Sequence, residues 1–265
     1  MTSPVSSPAR RKNHEEPTLN RSLERGVEIL RAFRPGADLL GNGELAERTG
    51  LSKATISRLA QTLVQCGLLE HDGLHRAYRL AAPVLSFAHA MRSGSPILQI
   101  AAPLMRTAAE KLRVNVGLAV ADREEMVYLE SIRYNRKVSL RSVVAGQRVP
   151  IELTSLGRAY LCAIPETQRR ELMVKLGRQR LSGWKAIREE ILAAVHVFGR
   201  KGYCTASWQP EVVAIATPIG TPNGSVYVLN MSVTTQQSTV EIESELSAPL
   251  KALAEKITEA VRRLD

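Results

Sequence analysis

Over residues 44–70 the chain reads ELAERTGLSKATISRLAQTLVQCGLLE, and its apolar positions form two helical stripes separated by a Gly-Leu-Ser break. The first stripe is short: Leu45 and Ala46 point inward, Asn42 is placed to cap the helix, and Gly50 stands where a helix ends in the left-handed conformation. The second is longer. Ser52 caps it, Ile56, Leu59, Ala60, Leu63 and Val64 follow one helix face, and Gly67 stops it. Two helices joined by so tight a turn cannot run parallel, so their apolar faces must meet over a third element. Residues 22–33, with Leu23, Val27 and Leu30 at helical spacing, supply it and end at Arg34-Pro35-Gly36.

Past Gly67 the period shortens to that of strands. Residues 68–71 and 76–80, parted by Asp72-Gly73, predict a hairpin directly after the second helix, which is a wing. Arg76 and Arg79 stand beside Ala77 and Tyr78 on its return strand, predicting a face that offers two cations. His71 and His75 share the hairpin with no third ligand near, so they read as polar hairpin residues rather than a metal site. Residues 82–96, APVLSFAHAMRSGSP, predict a connecting helix starting at Pro83 and ending in a Ser-Gly-Ser-Pro linker. A helical stripe follows over residues 96–112, then the β-rich runs NVGLAVAD, MVYLESIR and VSLRS. Helical patterns return in TSLGRAYLCAI, in ETQRRELMVKL and over residues 184–198. EVVAIATPIG and SVYVLNMSVTT, joined around Pro222-Asn223-Gly224, predict a hairpin, and residues 242–264 a closing amphipathic helix. The order of elements gives a mixed α/β (α+β) domain with a mainly antiparallel sheet.

The outward face of the second helix carries Ala54, Thr55, Ser57, Arg58 and Gln61, with no acid among them. A helix entering a major groove needs this composition, because a carboxylate there faces phosphates while small polar groups allow close approach. Arg58 and Gln61 reach far enough for base edges. Ser52, Lys53, Thr55 and Ser57 suit phosphate or base contacts, and Arg76 and Arg79 suit the backbone beside the groove. An ordinary amphipathic surface helix has the same outline, and the wing is what favours the DNA-reading alternative.

Charge supports a polyanionic partner without locating it. The net charge is +10, but the 13 basic and 9 acidic residues up to Arg92 share the excess with 23 basic and 17 acidic residues beyond it. Residues 1–17 are Ser/Pro-rich, with Arg10, Arg11 and Lys12 available to touch phosphate or simply to solvate a mobile arm. The N-terminus lacks the apolar segment of a secretory signal and no window is long enough to span a membrane, so a cytoplasmic location is expected. Three cysteines, Cys66, Cys162 and Cys204, lie far apart without a C-x-x-C spacing and read as reduced. No Walker loop, G-x-S-x-G, H-E-x-x-H or glycine-rich dinucleotide turn occurs, so no catalytic residue, metal or cofactor is expected. A thiol enzyme built from Cys162, Cys204 and His196 is a construction on paper, since Cys162 lies in an apolar helical run.

One stretch suggests a ligand. PIELTSLGRAY leads an extended segment into a helix opening with Thr154 and Ser155, where unpaired N–H groups favour a small carboxylate; Thr154 is either a cap alone or a cap and a ligand group. In order and spacing, SLERGVEIL, the 44–70 segment, YRL, VYLESI, TSLGRAYL, IATPI and LNMSV resemble the IclR family of bacterial transcriptional regulators, from about Leu19 to the C-terminus. The resemblance implies a winged helix-turn-helix DNA-binding domain joined by a helix to a GAF-like effector-binding domain; with the boundaries read from the residues, this gives an arm over 1–17, the DNA-binding domain over 18–82, a linker helix and hinge over 83–96, and the effector-binding domain over 97–265. It also implies a homodimer or dimer of dimers on double-stranded operator DNA; nothing in the residues separates repression from activation, and repression is slightly preferred. The family's pocket maps onto Thr154, Ser155, Leu156 and Gly157 and onto Ala214, Asn230 and Ser232. Where members that bind small oxoacids often carry cysteine, serine and an acidic stretch, this chain has Ala214, Asn230 and TASWQPE, with Trp208 and Gln209. An uncharged, more aromatic wall suits a larger effector, an organic or aromatic acid of a catabolic pathway. Two other readings remain: an enzyme whose N-terminal helices only dimerise, and an architectural DNA-binding protein with an inert second domain.

Overall fold

The computed structural model describes residues 20–134, 143–180, 182–209, 211–221 and 224–264. The arm with Arg10, Arg11 and Lys12, the strand expected in VSLRS, the Pro222-Asn223 turn and the Trp208 side chain lie outside the described residues. Two compact units result, one ending at Pro83 and the other, apart from Arg34–Gly36, beginning at Val84.

In the first unit, α1 (Arg21–Ala32) is capped by the Asn20 side chain, which accepts the N–H groups of Ser22 and Leu23, each at 3.1 Å. A two-residue strand, β1 (Leu40–Gly41), leads into α2 (Asn42–Thr49). The N-cap is Gly41 rather than Asn42, because the Glu44 carboxylate folds back to accept the Gly41 N–H at 2.9 Å, making Asn42 the first helical residue. Gly50 closes α2 at φ 71°, and Ser52 caps α3 (Lys53–Gln65). The wing, β2 (Leu69–Asp72) and β3 (Ala77–Leu80), pairs antiparallel, and β1 joins as a third strand in the order β1-β3-β2. Ile29, Leu40, Leu45, Ile56, Ala60 and Leu69 form the core of this unit. The side of α1 that enters the core holds Gly26, Ile29 and Ala32, so the Leu23–Val27 row expected inside is instead exposed, at 67% and 42%. Leu23 and Val27 lie outside that core.

In the second unit, α4 (Pro83–Ser93) precedes α5 (Pro96–Leu112) and the strands β4 (Asn115–Asp122), β5 (Glu125–Ile132) and β6 (Arg148–Pro150). Helices α6 (Ser155–Ala163), α7 (Glu166–Gln179) and α8 (Trp184–Lys201) follow. The chain then adds β7 (Cys204–Gln209), β8 (Val212–Gly220), β9 (Val226–Thr234) and α9 (Thr239–Arg262). The sheet runs β6-β5-β4-β9-β8-β7 and its recorded pairs are antiparallel. Alternation sorts its faces. Val116, Leu118, Ile215, Leu229 and Met231 pack under α5 and α9, while Ala119, Tyr128, Ala216 and Val228 pack under α6 and its neighbours. Arg92, at the end of α4, donates to the Leu129 carbonyl and pairs with Glu130 at 2.7 Å, anchoring that helix end to β5. Among the described residues no helix is long and apolar enough to cross a membrane.

Candidate functional site

Helix α3 turns Ile56 and Ala60 wholly inward and presents its opposite side to solvent. Ser52, Lys53, Arg58 and Gln61 are exposed there, and Thr55 and Ser57 are half-buried. The Ser52 hydroxyl accepts the Thr55 N–H at 3.2 Å and lies 2.9 Å from the Thr55 hydroxyl, so the cap that starts the helix also orders its leading edge. No acid occurs along α3.

The wing differs from its sequence reading in one respect. Arg76 is not on the strand; it sits in the turn at φ +50°, and Arg79 alone of the two stands on β3. Both are exposed, one in the turn and one on the strand, so the two do not form the single strand face expected. Asp72 organises the turn: it accepts the His75 N–H at 3.0 Å, lies 3.1 Å from the His75 ring nitrogen and pairs with Arg79. The His75 backbone hydrogen bond, with the His75 side chain and Arg79 assisting, holds the Asp72 carboxyl down at about 2. Asp72 thus ties the end of β2 to the turn at His75 and to Arg79 on β3. The His71 ring packs against Tyr78 at 5.1 Å.

A second site lies on the sheet face that α6 covers. By alternation, Asn115 and Gly117 of β4 and Asn230 and Ser232 of β9 share that face, and register sets Asn115 opposite Ser232 and Gly117 opposite Asn230. With Tyr128, Arg133 and Glu211 they line a cavity of about 280 Å³. Its polar chemistry is unfinished. Among the described residues only four buried side-chain polar atoms lack a partner, and two of them, the amide oxygens of Asn115 and Asn230, belong to this cavity. A buried acceptor left unpaired costs about 1–3 kcal/mol, which a ligand hydroxyl or amine recovers on binding. The Asn230 amide nitrogen donates to the Tyr128 hydroxyl at 3.4 Å, and burial pushes the Tyr128 phenol up to about 12, so it stays protonated and able to donate.

Of the residues expected around a ligand, Asn230 and Ser232 line this cavity. Ala214 pairs with Ser232 on the same face but is not part of the lining. Thr154, Ser155, Leu156 and Gly157 also stand outside it. The Thr154 hydroxyl is committed, donating to the Pro150 carbonyl at 2.8 Å and accepting the Gly157 N–H at 3.2 Å, and Thr154 and Ser155 are buried. Gly157 serves packing: a Cβ there meets the Ile151 carbonyl oxygen at 2.0 Å. The wall expected to be uncharged is not, because Glu211, the last residue of TASWQPE, and Arg133 both line the cavity. Asn115, Gly117 and Tyr128 went unnoticed in the sequence; the available signal was a polar residue and a glycine at alternate positions of an otherwise apolar strand. Of the thiol group drawn on paper, Cys162 and Cys204 do meet, whereas His196 is exposed on α8.

Gly117 supplies the space that keeps this cavity in shape. A Cβ at that position stands 2.4 Å from Tyr128 Cε1 and 2.5 Å from Asn230 Oδ1. Gly117→Ala is expected to lower stability by about 1–3 kcal/mol in urea unfolding, as overpacking does, and to turn Tyr128 and Asn230 away, removing any ligand-induced rise in melting temperature.

Comparison with known proteins assigns the chain a lineage. Residues 22–73 match the family model described as the IclR helix-turn-helix domain, and residues 89–259 that of the bacterial transcriptional regulator IclR C-terminal region. The chain is 32% identical to the HTH-type transcriptional regulator TsaQ1/TsaQ2 of Comamonas testosteroni, over 91% of this chain and 88% of that one. It is 27% identical to the p-hydroxybenzoate hydroxylase transcriptional activator of Acinetobacter baylyi, over 74% of each. An IclR family transcriptional regulator from Brucella abortus superposes with a TM-score of 0.83 at 33% identity, over 94% of this chain and 96% of that one.

Proposed function

The chain belongs to the IclR family of bacterial transcriptional regulators, and from that membership we propose that it is a homodimeric repressor whose operator binding is set by an organic acid of the aromatic class. The acid-free outer face of α3, ordered at its start by Ser52 and backed by a closed wing, carries the DNA-reading part of this proposal. Arg58 and Gln61 read base edges in the major groove; Ser52, Lys53, Thr55 and Ser57 fix the helix against the phosphates or add base contacts, and Arg76 and Arg79 hold the flanking backbone. A second copy covers the Leu23–Val27 face of α1, giving two heads that read two half-sites.

The cavity beside Asn115 and Asn230 supports the effector. Arg133 supplies positive charge for a carboxylate, and the two amide oxygens accept from ring hydroxyls. A relative named for activating a p-hydroxybenzoate hydroxylase gene agrees with that class. Thr154–Gly157 hold α6 over this face, and Ala214 backs Ser232. Ligand acts on DNA binding only through unequal affinity for the competent and incompetent states.

Purified full chain is expected to retard DNA from upstream of its own gene, and 4-hydroxybenzoate or a related benzoate to shift that retardation and raise the melting temperature. Run-off transcription reads the sign. Absence of retardation at low salt, with a small-molecule turnover that survives deletion of residues 1–92, would overturn the proposal in favour of an enzyme.

A further inference from the structure

Cys162 on α6 and Cys204 at the start of β7 are 42 positions apart in sequence, yet their sulfurs lie 3.7 Å from each other. Both are free thiols; Cys204 is buried and Cys162 is half-buried, so a small solute reaches Cys162 first. The fold creates the pair, since the linear spacing contains no hint of it. We propose that Cys162 and Cys204 are an oxidative modification site, which hydrogen peroxide or another hydroperoxide closes to an intrachain disulfide tying α6 to β7.

The two thiols are not equivalent. Cys162 is held below the usual thiol range because its sulfur accepts from Cys204 and feels the Arg169 guanidinium, which donates to the adjacent Leu161 carbonyl at 3.2 Å. Cys204 is pushed up by that same hydrogen bond and by burial, and keeps its proton. Cys162 sulfur attacks a peroxide oxygen: the S–O bond forms, the O–O bond breaks, and the departing hydroxide leaves as water with the thiol proton. Cys204 sulfur then attacks the sulfenic sulfur, forming the S–S bond and expelling the hydroxyl as a second water with the Cys204 proton. Two thiols lose two electrons and one peroxide becomes two waters. Cys66 is exposed on the first unit and is replaced in the test so that it cannot compete for the oxidant.

The full chain carrying Cys66→Ser, treated with hydrogen peroxide, alkylated and digested with trypsin, is expected to yield the Cys162 and Cys204 peptides joined, lighter than their sum by two hydrogens. Dithiothreitol should separate them. Joining should run at least about tenfold faster in the folded chain than in urea, because the fold holds the sulfurs together. Cys204→Ala should instead trap one oxygen on Cys162, captured by dimedone, and raise the pH at which Cys162 alkylates. Peroxide that oxidises methionines while both cysteines stay alkylatable, that carries Cys162 to the sulfinic acid with no cross-link, or that joins the peptides equally fast in urea overturns the proposal. Should Cys204→Ala fail to fold, the peptide map of the parent decides alone.

Discussion

Replacing Arg58 by alanine is expected to weaken operator binding by about 1–3 kcal/mol, a loss of roughly 5- to 150-fold, and to relax the sequence requirement at one base pair in each half-site. The effect is confined because of where the residue stands. Arg58 is exposed on α3, and the buried residues Ile56 and Ala60 that hold the helix are untouched by the change. Thermal stability should therefore stay near that of the parent while binding falls. Arg76→Ala supplies the contrast. Arg76 is exposed in the wing turn and not on the helix proposed to read bases, so affinity should drop alike for all sequences and the salt dependence should lose about one counterion. Selection of binding sites from a random DNA pool, with titrations at several salt concentrations, separates the two. An Arg58→Ala variant that selects the same site as the parent would place base reading elsewhere than on α3.

The helix pair was legible because every boundary had its own chemical mark. Gly50 takes the left-handed conformation, Ser52 accepts the Thr55 N–H, and Ile56 and Ala60 are fully buried, each as the periodicity required. Two local reciprocal caps were misread. Asn42 looked like a cap until Glu44 reached back to Gly41, and α9 begins at Thr239, ahead of its apolar stripe, because Ser238 and Glu241 form a reciprocal cap. Strands β1 and β7 gave no signal. Leu40–Gly41 is too short to show a period, and CTASWQ lacks the run of branched residues that marks a strand; both exist because a neighbouring edge offers them hydrogen bonds. The cavity was half legible. Asn230 and Ser232 lie two apart on one strand, which a linear reading can find, whereas Asn115 and Tyr128 join them only through the β4–β9 and β4–β5 registers. Cys162 and Cys204 illustrate the same limit, since proximity across 42 positions belongs to the packing of α6 on β7.

Leu23→Glu combined with Val27→Glu is expected to give a folded monomer whose affinity for the full operator falls by about 10²–10⁴-fold while its affinity for an isolated half-site is nearly unchanged. Two facts about α1 lead there. Its inward row, Gly26, Ile29 and Ala32, already satisfies the core, so charges on the outer row disturb no packing inside the unit. The outer row nonetheless exposes Leu23 at 67% and Val27 at 42%, and covering such side chains contributes about 1.5–3 kcal/mol for each one fully buried. Across the proposed two-fold interface the same pair counts twice, and four glutamates brought together there repel. Losing the interface does not touch the contacts each head makes with DNA; it removes the tether that makes the second contact intramolecular, which is why the full-site loss should far exceed the half-site loss. Sedimentation of the variant, alongside titrations on full and half sites, measures both quantities. A double variant that still sediments as a dimer and binds the full operator as the parent does would show that another surface joins the two copies, and the exposed Leu85, Phe87 and Met91 of α4 would be the next face to charge.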